Sequence, residues 1–218
     1  TISLLIFLFS ACLFPAFGKA NAESSAATRL TFGADGTFTV LILSDLQDTQ
    51  YTTQLVQDGS DGVIRDYPAD LIVLLGDQLE GASPVLRFGN GEKNCANTIQ
   101  TLLAPVLESG IPFAVVFGNH DYEAPMSIRQ QSKLYVSYDN CVGVSFGINS
   151  SEDGAFALPV YEHGSDIPKM TLYFFDSGSY LANGDYDTVS KEQVAWYNEQ
   201  SAAFRSINDN QAMPSVAF

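Results

Sequence analysis

Basic side chains are scarce in this chain: ten lysines and arginines stand against 25 acidic residues, a formal net charge of −15 over 218 residues. Long-range electrostatics therefore oppose nucleic acid and anionic membrane surfaces as partners. The same acidity suits a protein that concentrates metal cations, and equally one that stays soluble outside the cell. Cysteine is also sparse, three in all, and no C-x-x-C pair occurs, which excludes the common cysteine-based zinc sites. There is no internal repeat and no interdomain linker. What remains is a chain of ordinary single-domain length, 46% hydrophobic, enough to build one core.

The first stretch, "TISLLIFLFSACLFPAFGKANAESS", is uncharged and apolar from Ile2 to Phe17 and is followed by Ala20-Asn21-Ala22. Small residues in that pattern mark a signal-peptidase site, so residues 1–22 are expected to be a signal peptide, entered partway because neither a starting Met nor a positive leading region is present. The run is too short for a spanning helix, which needs about 20 residues, and Pro15 interrupts it. Cys12 in "FSAC" leaves a lipoprotein anchor as the competing reading, although Phe9 stands where that motif usually has leucine. Cleavage would remove Lys19 and no acid, making the remainder, a polar segment 23–37 and a domain 38–218, still more acidic. Cys95 and Cys141 would remain, an even number that allows one disulfide in an oxidising compartment. Asn149-Ser150-Ser151 is a glycosylation sequon for a eukaryotic source.

Three apolar runs share one design: "FTVLILSD" (38–45), "DLIVLLGD" (70–77) and "PFAVVFGNHD" (112–121). Continuous β-rich runs read as strands covered on both faces. Between the last two, Ile99, Leu102, Leu103, Val106 and Leu107 have helical spacing that ends at Gly110. Strand, helix, strand, helix, strand implies an α/β fold of βαβ units with parallel strands. Further on, "PMSIRQQSKLYVSYD" reads as a helix, and "CVGVSFGI", "AFALPVY" and "KMTLYFFDSGSY" as strands. The stretch 190–207 reads as a helix capped by Ser190, with Val194, Tyr197 and Phe204 on related faces. Pro214 and the apolar residues after it begin another strand, so the fold is expected to continue past Phe218.

Each of the three runs ends in polar residues: Asp45, then Gly76-Asp77, then Gly118-Asn119-His120-Asp121. The carboxyl ends of parallel strands form the ligand crevice of an open α/β sheet, so these groups can converge. Two carboxylates, an amide oxygen and an imidazole are hard or borderline ligands suited to manganese, zinc or iron.

"SDLQD", "LLGDQ" and "VFGNHD" resemble the first three blocks of the calcineurin-like metallophosphoesterases, in the secreted branch similar to purple acid phosphatases. The family's order is D-x-H, G-D, G-N-H-D/E and two later histidine blocks. The resemblance implies an α/β/β/α sandwich of two sheets flanked by helices, incomplete here at the C-terminus. It implies hydrolysis of a phosphate ester by a metal-bound hydroxide at a dinuclear site of iron, manganese or zinc ions. The substrate would be a small-molecule phosphate ester or a phosphoprotein, outside the cytoplasm. By the same resemblance Asp45 and Gln47 would hold the first metal, Asp77 would bridge both, and Asn119 would ligate the second through its side-chain oxygen. His120 would act at the scissile ester, with Asp121 orienting its ring.

Two departures accompany these matches. Gln47 stands where the family has histidine, and an amide oxygen is a weaker donor than imidazole. The later histidine blocks are missing, since His120 and His163 are the only histidines. A non-catalytic binding protein on the same scaffold is therefore the rival class, and a phosphodiesterase or nucleotidase the rival within the family. Asp176 reads as a turn residue, Asp48, Tyr51 and His163 as solvent-exposed, and Trp196 as packing.

Overall fold

The computed structural model describes residues 28–51 and 53–218; the expected signal peptide and its cleavage site lie outside them. Four strands, β1 (Val40–Leu43), β2 (Leu71–Leu75), β3 (Phe113–Val116) and β4 (Cys141–Val144), form one all-parallel sheet in the order β1-β2-β3-β4. A second sheet has β5 (Ala155–Tyr161), β6 (Pro168–Phe175) and β7 (Ser215–Ala217) in the order β5-β6-β7, with β5 antiparallel and β7 parallel to β6. Helices α1 (Thr53–Asp66), α2 (Pro84–Arg87) and α3 (Gly91–Ser109) separate β1, β2 and β3, while α4 (Asn119–Glu123) and α5 (Ile128–Val136) lie between β3 and β4. The last helix, α6 (Lys191–Ile207), precedes β7.

Strand alternation explains how these pieces stack. Successive side chains of a strand point to opposite faces. On β2, Ile72 and Leu74 enter one core with Ile99, Leu103 and Val106 of α3, while Leu71 and Val73 enter another with Phe156, Leu158 and Phe174 of the second sheet. The outer face of the second sheet meets α6 through Tyr173, Trp196, Tyr197 and Phe204. Helices, sheet, sheet, helix is the four-layer sandwich that the family resemblance implies. Each fully buried Leu, Ile or Phe in these layers contributes roughly 1.5–3 kcal/mol relative to exposure. Trp196 packs edge-on against Tyr173, at 6.3 Å between ring centres, as a packing residue should.

Between the sheets the layer is built largely from phenylalanine. Phe156 and Phe174 face each other across the β5–β6 ladder with ring centres 4.4 Å apart, and Phe218 stacks on Phe174 at 4.9 Å. Opposite them, Gly143 of β4 leaves the room they need, because a methyl group there would sit 2.5 Å from the Phe156 ring. Upstream of β1, residues 30–32 pair with the end of β5, and Leu30 is buried between the sheets.

The disulfide expectation does not hold: Cys95 and Cys141 are both free, buried thiols. Their places in the fold explain why. Cys141 lies opposite Phe113 at the amino end of β3, whereas Cys95 sits near the start of α3, fourteen residues before the helix delivers the chain to that end. At 1.5 Å per residue that is about 21 Å along the helix, against a Cα separation under about 7 Å for a bridge. Burial raises both thiols, that of Cys141 to about 12. At the sequon, the Asn149 side-chain nitrogen donates to the Val142 carbonyl at 3.0 Å, so the atom a glycan would need is already engaged. No helix among the described residues is long and apolar enough to cross a membrane.

Candidate metal and phosphoester site

Register brings the three polar ends together. Leu43 lies opposite Leu74, and Leu75 opposite Val116, so β1, β2 and β3 terminate side by side. The ladder then continues beyond the strands: Asp45 N–H donates to the Gly76 carbonyl at 3.1 Å, Gln47 N–H to Asp77 at 2.8 Å, and Gly76 N–H to Val116 at 3.0 Å. Convergence of the three blocks at one edge, expected from their strand-end positions, is thus a backbone fact.

The backbone at this edge is strained. Asp45, Gln47 and Asp77 all have left-handed φ values, 54°, 43° and 54°. Outside glycine such a conformation is disfavoured by roughly 1–2 kcal/mol per residue, and it persists only where surrounding bonds dictate it. The shared result is that each chain turns sharply off its strand just where its carboxylate or amide departs. Gly118 is required by space: a methyl group on it would lie 2.3 Å from Asp77 Oδ1 and 2.6 Å from Asp77 N.

Asp77, 9% exposed, accepts the His120 backbone N–H at 2.9 Å through Oδ1, which locks the second block to the third. Asn119 donates from Nδ2 to the Tyr180 hydroxyl at 2.7 Å, so its amide donor is engaged and the side-chain oxygen is the atom available to a cation. The Ser44 hydroxyl, with one hydrogen to donate, lies within reach of both the Asp45 carboxylate and the Leu75 carbonyl.

The role expected for Asp121 needs correction. Its carboxylate accepts the Gly118 and Leu79 backbone N–H groups, both at 3.0 Å, and is fully buried. Burial lifts it to about 7 against the pull of those donors. Asp121 therefore caps α4 and ties it to the second block. The His120 ring is oriented by Glu123 instead, whose Oε2 lies 2.7 Å from Nδ1. That bond, first among the causes, raises the imidazole above its ordinary value, with burial opposing and Asp77 assisting. Sequence reading missed Glu123 because "GNHD" reads as a loop; in the structure Asn119–Glu123 is a helical turn, which puts positions 120 and 123 on one face.

Asp48 also differs from expectation. Instead of facing solvent it is fully buried, because residues 47–48 run alongside 77–80 in an extension of the sheet, Asp48 N–H donating to Gln78 at 3.1 Å and Glu80 N–H to Asp48 at 3.0 Å. Tyr51 is exposed, as is His163. Asp176 fills its turn role, accepting Gly178 N–H at 2.9 Å, and it also accepts the Tyr122 hydroxyl at 3.0 Å. Burial raises its carboxyl to about 6.

As a donor set, Asp45, Asp77, Gln47 and Asn119 offer hard oxygens suited to a divalent cation. Among the described residues no group of three or more His, Cys, Asp or Glu stands together for a metal. These oxygens fit the part of a metal centre that three strand ends can supply, and the imidazole ligands of a complete two-metal site are not among them.

Comparison with known proteins agrees with this geometry. A family description, calcineurin-like phosphoesterase, matches residues 38–210. Probable inactive purple acid phosphatase 14 of Arabidopsis thaliana is 26% identical over 92% of this chain and 54% of its own length. Probable inactive purple acid phosphatase 28 of the same plant is 25% identical over 100% of this chain and 62% of its own. Phosphatase DCR2 of Saccharomyces cerevisiae is 27% identical over 62% of this chain and 24% of its own. The chain thus spans little more than half the length of the first two relatives. With the match running through all three strand-end blocks and both sheets, the chain belongs to the calcineurin-like phosphoesterase family.

Proposed function

We propose that this chain carries part of the metal and phosphate site of a metal-dependent phosphoesterase that acts outside the cytoplasm on a small phosphate ester or a phosphoprotein. The observation that carries the reading is the chain of bonds at the carboxyl edge of the parallel sheet, Asp45 and Gln47 to Gly76 and Asp77 through the backbone and the Asp77 carboxylate to the His120 N–H. Left-handed backbone at Asp45, Gln47 and Asp77 accompanies that interlock, and the bonds between the blocks hold it in place.

In this reading Asp45, Gln47, Asp77 and Asn119 would hold the cations through their side-chain oxygens. Divalent cations bound there supply positive charge to phosphoryl oxygens and make water acidic enough to ionise near neutrality. The chain's own contribution is positioning and proton handling. Asp77 is held by the His120 N–H and cannot swing away from the edge. Glu123 keeps the imidazole charged to higher pH, so His120 can donate a hydrogen bond to a phosphoryl oxygen or a proton to the leaving group from its other nitrogen. The acidic surface disfavours nucleic-acid substrates. Extracytoplasmic placement rests on the apolar leader and the Ala20-Asn21-Ala22 pattern.

The test is metal content and chelator-sensitive hydrolysis of p-nitrophenyl phosphate by the full-length protein. Retained manganese, iron or zinc with phosphate release abolished by chelation supports the reading; a protein without bound metal or chelator-sensitive release sinks it. Gln47 favours a second reading, a binding protein that keeps the scaffold without turnover. Three relatives carry "inactive" in their names, which points the same way. Phosphate binding without hydrolysis would be its signature.

A further inference from the structure

We propose that Tyr180 and Tyr186 form an aromatic subsite for the leaving group of the phosphate ester, selecting planar aromatic esters over aliphatic ones of the same size; this rests on the phosphoesterase reading above. After β6 the chain makes a closed hairpin. Asp187 N–H donates to Ser179 at 3.0 Å, Leu181 N–H to Asp185 at 2.8 Å, and Tyr180 and Tyr186 pair directly across it. Their ring centres are 5.3 Å apart with planes 34° from parallel, and both remain open to solvent, at 41% and 69%.

What places this pair at the site is the Tyr180 hydroxyl, which accepts from Asn119 Nδ2 at 2.7 Å. A tyrosine ring extends straight back from its hydroxyl, so the aromatic faces begin within one ring of Asn119, the residue assigned to a metal. The base of the hairpin is firmly held. Asp176 accepts from Gly178 N–H and Tyr122, and Gln193 donates to the Asp176 carbonyl at 2.7 Å. Gly178 has φ 80° and lies hard against Asp187, where a methyl group would be 2.9 Å from its carboxylate. A preorganised pair of exposed rings loses little freedom on binding.

Charge decides which part of a substrate the hairpin meets. Residues 177–190 contain Asp185 and Asp187 and no lysine or arginine. Such a loop repels a phosphoryl group and leaves the organic part of the ester as the portion that can settle on the rings. Tyr173, on the outer face of this sheet, is absorbed by packing against Trp196 and Tyr197 of α6, whereas Tyr180 and Tyr186 pair with each other and stay open to solvent.

The test compares benzylphosphonate with cyclohexylmethylphosphonate, two non-hydrolysable ligands of similar size that differ in aromaticity, by calorimetric titration of the full-length protein with excess manganese(II). The expected result is tighter binding of the benzyl compound by about fivefold. That ratio should fall to about one in Tyr186→Leu and stay near the original in Tyr186→Phe; because Tyr186 is exposed, both variants should fold, as circular dichroism can verify. An equal ratio in the original protein, a ratio unchanged by Tyr186→Leu, or binding of neither compound overturns the subsite. Turnover of p-nitrophenyl phosphate, measured beside it, tests the underlying reading separately. Preference without turnover removes hydrolysis and keeps the subsite; turnover without preference removes the subsite alone.

Discussion

Asp77 Oδ1 accepts the backbone N–H of His120 at 2.9 Å, so the carboxylate assigned to the metals also holds the start of α4 in place. The two jobs separate by substitution. Asp77→Asn keeps an oxygen for the His120 N–H while removing the charge, and should unfold within about 1 kcal/mol of the original in urea. It should nonetheless lose bound metal and all chelator-sensitive turnover. Asp77→Ala leaves a partly buried N–H without its partner and should lose a further ~1–3 kcal/mol. Equal stability of the two variants would contradict the structural half of the role.

Gly118→Ala is expected to be among the most damaging small substitutions in the molecule. Its methyl group would stand 2.3 Å from Asp77 Oδ1 and 2.6 Å from a backbone nitrogen, so the ladder between the second and third blocks must part. Overpacking of this kind destabilises by about 1–3 kcal/mol or more. The urea midpoint should drop accordingly, and metal retention with it.

With only two histidines in the chain, the His120 imidazole can be followed by proton NMR without ambiguity. Its titration should lie above the ordinary histidine value, since Glu123 bonds Nδ1. Glu123→Gln removes the negative partner and should move the titration down. Because the folded-state value is raised, the stabilisation from this pair is complete below the unfolded value of 6.5 and disappears as pH rises through the folded one. A titration unmoved by Glu123→Gln would return the steering role to another residue. His120→Ala should lower kcat with metal content retained.

The strands and their polar ends were readable because buried parallel strands write themselves as unbroken apolar runs, and because G-D and G-N-H-D stop those runs abruptly. The helix α6 was equally plain from Ser190 and its apolar spacing. Glu123 was hidden because a five-residue helix has too little length to show a period. Asp48 read as exposed because nothing in "LQDTQ" reveals that the ladder outlasts β1. Tyr180 reaches Asn119 from 61 residues away, by way of the second sheet, and no local pattern encodes such a meeting. The cysteines misled in the same manner: an even count carries no information about opposite ends of a sheet.

Asp176 supplies a pH signature. Its carboxyl is raised from 3.8 to about 6 by burial, so between those values the folded chain holds a proton that the unfolded chain has released. Stability should therefore fall as pH rises from about 4 to about 6, by up to ~3 kcal/mol from this group. In Asp176→Asn, which cannot ionise, the slope of urea stability against pH should be shallower across that window. Parallel slopes for the two proteins would show that Asp176 ionises normally.

Asn119 follows β3 of the parallel sheet, whereas Tyr180 follows β6 of the other sheet, and no strand ladder joins the two. Their hydrogen bond therefore depends on how the two sheets are spaced behind it, by the phenylalanine layer on which they rest. At Gly143 that layer has no room to spare, a methyl group there meeting the Phe156 ring at 2.5 Å. A side chain added there would act as a wedge between the sheets, straining the Asn119–Tyr180 bond from behind without touching either residue.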